Sequence, residues 1–124
     1  MSHTISVALC THNGVRFIAE QVRSICLQTL PPREIVLSDD ASSDETVSLA
    51  RKVVAECETQ RAGLNISLRV FENRPALRVT RNFEQACLAC TSDLIALSDR
   101  DELWPPDSLE KNVGGCTRNP VPLV

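Results

Sequence analysis

Apolar stretches alternate with polar breaks along the chain at intervals that suit short strands and helices. Residues 4–10 are rich in β-branched and apolar side chains and stop at Thr11-His12-Asn13-Gly14, where Asn-Gly punctuates a strand. Over 15–28 the apolar positions Ile18, Val22, Ile25 and Cys26 recur at helical spacing on one face, and Pro31-Pro32 ends the element. A second apolar run, 34–38, leads into Asp39-Asp40-Ala41-Ser42-Ser43-Asp44-Glu45. There Ser42 and Glu45 have the spacing of a capping box for a helix over 43–57. Gly63 breaks the chain, 64–71 alternates as a third strand, and Phe83, Ala86, Cys87 and Cys90 trace one face of a helix over 80–90. The fourth strand, 93–98, runs into Asp99-Arg100-Asp101-Glu102. Trp104-Pro105-Pro106 then fixes a turn and opens a helix over 107–112, because a first helical position has no use for the N–H that proline lacks.

Strand and helix in strict alternation predict right-handed βαβ units: an α/β fold, Rossmann-like, of three α/β/α layers around a mostly parallel sheet. Ligands of such sheets bind at the carboxyl ends of the strands. That rule selects the loops 11–14, 39–44 and 99–102, two of them heavily acidic. Residues 1–113 form the domain, and 114–124, with two Gly and two Pro, reads as a flexible or truncated tail.

A chain of 124 residues with 43% hydrophobic and 23% charged side chains suits one small soluble domain. A net charge of -3, without any run of Lys and Arg, argues against nucleic acid as partner. It leaves open an anionic ligand accompanied by a metal ion. The start, MSHTISVALC, lacks the basic region and long apolar core of a signal peptide, and no stretch approaches the roughly 18 apolar residues of a membrane span, so a cytoplasmic protein is expected. The six cysteines are scattered through apolar segments and read as reduced, buried small hydrophobes, the Cys87/Cys90 pair included.

Neither GxGxxG nor GxxxxGK[ST] occurs, so the usual backbone cradles for dinucleotides and for P-loop chemistry are missing. What the chain offers is acid, at Asp39 and Asp40 and again at Asp99 and Asp101. In extended backbone Asp99 and Asp101 point the same way and can share one divalent ion, and their hard oxygen donors suit Mg2+ or Mn2+. Spacing alone leaves a solvated acidic loop as the alternative.

ISVALCTHNG from Ile5, EQVRSICLQTLPPREIVLSDDASSDET from Glu20, RNFEQA from Arg81 and LIALSDRDELWPPDSLE from Leu94 resemble, in that order, the nucleotide-sugar-binding half of the family 2 glycosyltransferases with the GT-A fold. The similarity is to their rhamnosyltransferase-like members in particular and runs over residues 5–112. The resemblance implies transfer of a sugar from a nucleoside-diphosphate sugar to a cell-surface polysaccharide or lipid-linked acceptor, with inversion, by a protein at the inner face of the membrane. It gives Thr11, His12, Asn13, Asp39 and Asp40 to the base and ribose, Arg81 to the nucleotide, and Asp99 to the sugar and ribose. Asp101, with Asp99, corresponds to the metal-binding DxD motif. Several positions depart from the family pattern: His12 stands where an aromatic is usual, Ala41 and Arg78 where glycine is usual, and Arg100 and Glu102 where Gln and Asp are usual. Arg78 either blocks the pocket or adds a phosphate contact.

Inverting transfer needs a general base, and residues 114–124 contain no Asp or Glu. No catalytic residue is therefore assigned. The readings are a glycosyltransferase represented by its donor-binding half, or a non-catalytic nucleotide-binding or interaction module; a nucleotidyltransferase is a third and weaker one. A half without its acceptor region exposes apolar surface, which implies a homo-oligomer.

Overall fold

The computed structural model describes residues 4–98, 103–106, 109 and 117–118. Strands β1 (Ile5–Thr11), β2 (Glu34–Asp40), β3 (Ser67–Asn73) and β4 (Leu94–Ser98) alternate with helices α1 (Ile18–Cys26), α2 (Thr46–Gln60) and α3 (Val79–Ala89). The sheet order is β3-β2-β1-β4-β5, parallel throughout except for β5 (Thr117–Arg118), which runs antiparallel to β4. The right-handed rule fixes the layers. The connections through α1 and α2 step one way across the sheet and the one through α3 steps back over β1, so α1 and α2 share one face and α3 takes the other.

β1 and β2 are buried along their whole length, covered on both sides, and therefore read as continuous apolar runs. Alternation divides them between two cores. Ile5, Val7, Leu9, Ile35 and Leu37 pack with Ile18, Val22 and Ile25 of α1 and Ala50, Val53 and Cys57 of α2. Ala8, Cys10, Val36 and Ile95 pack with Ala86 and Cys90 beneath α3. The second core is thinner: Val79 is 73% exposed and Leu88 62%. Burial pushes the thiols of Cys26 and Cys90 up to about 12, in Cys26 with help from neighbouring Cys57, so these are inert packing groups. All five described cysteines are free. Among the described residues no helix is long and apolar enough to cross a membrane.

Two expectations need correction. β1, β2 and β3 run on past the last apolar residue, so Thr11, Asp39, Asp40 and Asn73 lie in the sheet ladder and not in loops, with Thr11 paired to Asp39 and Asp40 to Asn73. α2 starts at Thr46 without a capping box, because the Ser42 hydroxyl is already committed to Asp39, and Asp44 instead accepts the N–H and hydroxyl of Thr46. Within 114–124, Thr117 and Arg118 pair with Ile95 and Leu94 of β4. The helix expected over 107–112 lies outside the described residues apart from Leu109, which is buried in the main core.

Candidate functional site

The strand order reverses between β1 and β4, the place where open α/β sheets form a crevice at their carboxyl ends. On the α3 side of β1 and β2 lies a cavity of about 360 Å³ lined by Cys10, Thr11, His12, Asp40, Val79, Asn82 and Phe83. Its wall is held by hydrogen bonds that begin on the two adjacent aspartates of β2.

Asp39 is buried and serves the loops. Its Oδ1 accepts from the Thr11 and Ser42 hydroxyls, both at 2.6 Å, and its Oδ2 accepts the Ser42 N–H at 3.1 Å. Asn13, at φ +50°, completes the stitch: its N–H donates to Ser42 Oγ at 2.8 Å and its Oδ1 accepts the Ser43 N–H at 2.8 Å. The Gly14 N–H donates to Thr46 Oγ1 at 2.9 Å. Ala41 adopts φ +58°, a left-handed conformation that glycine takes without strain.

Asp40 faces the other way, toward the cavity and the 74–78 loop. Its Oδ1 accepts the Leu77 N–H at 2.5 Å and the Asn73 amide at 3.2 Å, while Oδ2 accepts the Arg78 N–H at 2.8 Å. Burial alone would raise its pKa, but these donors, led by the Leu77 N–H and joined by His12, bring it below the ordinary carboxylate value. His12 Nδ1 lies 2.6 Å from the Asp40 carbonyl oxygen, which only accepts, so Nδ1 carries the proton and the ring is fixed on the rim. Asn82, buried at the base of α3, ties the floor together: its Oδ1 accepts from Ser38 Oγ at 2.5 Å and from the Asn73 amide at 2.9 Å, and its Nδ2 donates to the Ser38 carbonyl at 3.0 Å.

Of the residues expected at the site, Thr11, His12 and Asp40 line one cavity, and Asn13 and Asp39 brace the loops behind it. Arg81 is exposed on α3 and is not part of the lining. Asp99, Arg100, Asp101 and Glu102 lie outside the described residues.

Two positioning residues escaped the sequence reading. Gln21 Nε2 donates to Ser98 Oγ at 3.0 Å, immediately before the acidic segment 99–102. Gln28, fully buried, donates from Nε2 to the carbonyls of Ser24 (3.0 Å) and Pro105 (2.7 Å) and accepts the Leu109 N–H at Oε1 (2.9 Å), beyond that segment. The Thr29 N–H adds a bond to the Pro106 carbonyl at 2.7 Å, and the Trp104 N–H one to Ser24 Oγ at 3.3 Å. The signal was partial: Gln21 sits on the apolar stripe of α1, but Gln28, seven residues on, lies past the end of that helix.

A parallel sheet wound in this order, with a cavity at the carboxyl ends of β1 and β2, is a Rossmann-like α/β fold of the class that carries its ligands at the strand ends. The model of the family described as Glycosyl transferase family 2 matches residues 6–123, and the chain belongs to that family. A putative glycosyltransferase, EpsE, of Bacillus subtilis is 30% identical over 109 residues, covering 88% of this chain and 37% of its own length. An uncharacterized glycosyltransferase of a Nostoc species is 26% identical over 113 residues, covering 88% and 31%. Among solved structures, the mannosyltransferase PcManGT of Pyrobaculum calidifontis, in complex with GDP-Man and Mn2+, superposes with a TM-score of 0.76 at 28% identity over 91% of this chain and 32% of that one. S. aureus TarS 1-349 in complex with UDP gives 0.75 at 20% identity over 90% and 31%, a likeness of fold alone. The chain thus spans about a third of the length of these relatives.

Proposed function

We propose that the domain binds a nucleoside-diphosphate sugar in this cavity and serves transfer of the sugar, with inversion, to a polysaccharide or lipid-linked acceptor at the inner face of the membrane. Thr11, His12 and Asp40 hold the base and ribose, and Asn13 and Asp39 keep their loops in register. Asp99 lies at the sugar and ribose, and Asp101 with Asp99 holds Mg2+ or Mn2+. The observation that carries the reading is the convergence of Thr11 and His12 at the end of β1 with Asp40 at the end of β2 on one cavity at the carboxyl ends of adjacent strands.

The oxygen donors of Asp99 and Asp101, which follow β4 in the sequence, match a hard divalent ion. Such an ion, when bound, supplies positive charge to the departing diphosphate. The exposed apolar flank of α3, including Val79 and Leu88, supports self-association as part of the same proposal.

Calorimetric titration of UDP, GDP and dTDP with and without Mn2+, on wild type and Asp101→Ala, tests it. One nucleotide is expected to bind with Mn2+ and to weaken at least tenfold, about 1.4 kcal/mol, without the ion or in the variant. Failure of all three to bind wild type sinks the proposal.

A further inference from the structure

The chain holds an arginine in a backbone conformation that suits glycine. Arg78 sits at φ +73° and ψ 170°, a region in which a β-carbon is strained and which glycine occupies freely. The conformation is imposed from outside, because Asp40 accepts the N–H groups of both Leu77 and Arg78 and so turns the chain into α3 at this point. A strained residue held by its surroundings at the edge of a cavity is a candidate for use of its side chain.

The side chain does not fill the cavity: Arg78 is exposed and absent from the lining, although Val79, the next residue, and Asp40, bonded to its N–H, both belong to it. Its guanidinium makes no hydrogen bond or ion pair with the other described residues, whereas that of nearby Arg74 is engaged by the Ser42 carbonyl at 3.2 Å. Arg81 falls off the stripe of Val79, Asn82, Phe83 and Ala86 that faces the sheet and cavity. The cavity wall carries the Asp40 carboxylate, with Asp39 and Asp44 behind it, a setting that repels a diphosphate unless cations stand at the rim.

We infer that Arg78 is a diphosphate-binding residue at the mouth of the cavity, its guanidinium contacting the phosphate oxygens of the nucleotide donor while the backbone strain is borne for that contact. The inference rests on the reading of the cavity as a nucleoside-diphosphate site.

The test replaces Arg78 by Gly and by Lys, and measures thermal unfolding together with calorimetric binding of the preferred nucleoside diphosphate and of its parent nucleoside at fixed Mn2+. Arg78→Gly relieves the strain and should unfold at a higher temperature than wild type. The same variant should bind the diphosphate about threefold to tenfold more weakly, with nucleoside binding unchanged. Arg78→Lys keeps the charge and the strain, and should retain most of the diphosphate affinity without the gain in stability. Equal loss for diphosphate and nucleoside, or no change in either, overturns the inference while leaving the nucleotide site standing. No nucleotide binding by wild type overturns both.

Discussion

Replacing Gln28 by Leu removes a buried amide at nearly constant volume. Gln28 is 0% exposed, and its side chain makes three hydrogen bonds, two of them to residues 105 and 109 beyond the acidic segment. Leucine leaves the Pro105 carbonyl and the Leu109 N–H without those partners, and each such group costs about 1–3 kcal/mol when water cannot replace the bond. The apolar gain of leucine offsets part of this, so a net loss of about 2–4 kcal/mol is expected, a large share of the roughly 5–15 kcal/mol that holds a domain together. At a urea slope of about 1–3 kcal/mol per molar, the unfolding midpoint should fall by about 1–2 M. Trp104 is the single tryptophan and lies on the strapped segment, so its fluorescence reports the strap while far-UV circular dichroism reports the whole fold. In Gln28→Leu the fluorescence transition should precede the dichroism transition; in wild type the two should coincide. A midpoint shift below about 0.3 M with coincident transitions would refute the idea that this glutamine fastens the chain after the acidic segment.

Asp40→Asn should cost about 2 kcal/mol at pH 7, because an amide nitrogen cannot accept from Leu77 or Arg78. Since the folded pKa of Asp40 is lowered, its stabilisation is complete above the unfolded value of about 3.9 and is lost as pH falls through the folded value, so acid titration of stability below about pH 4 should be steeper in wild type than in the variant. Ala41→Gly, at φ +58°, should raise stability by a few tenths to about 1 kcal/mol, read as an upward shift in thermal midpoint.

The alternation of apolar runs was enough to read the four parallel strands, the three helices between them and their layering, because β1 and β2 are covered on both faces and α1 carries a clear stripe. Periodicity stopped short where polar residues take structural positions. Asp39 and Asp40 look like loop residues by composition, yet the sheet ladder continues through them, and their carboxylates are bonded by loops that close only in three dimensions. Ser42 carries a local capping signal that a partner next door in space, Asp39, overrides. His12 was legible as a residue just past a strand, while Asn82 and Gln21 were hidden because buried amides on a helix face resemble solvent-facing ones, and Gln28, past the end of α1, because its partners at 105 and 109 are distant in sequence.

The charge on the outer strand β3 bears on how copies of the chain meet one another. An open parallel sheet invites further strands at both borders. On the β3 border, Arg69 and Glu72 put charge on the outermost strand and discourage stacking by a like segment. Across the sheet, β4 is the uncharged run Leu94–Ser98, and among the described residues Thr117 and Arg118 pair with Ile95 and Leu94. Past Ser98 the chain continues as Asp99-Arg100-Asp101-Glu102, a net charge of minus two from three acids and one base. Acids that directly follow an apolar strand in the sequence have the pattern of gatekeepers, which disfavour stacking by a like segment.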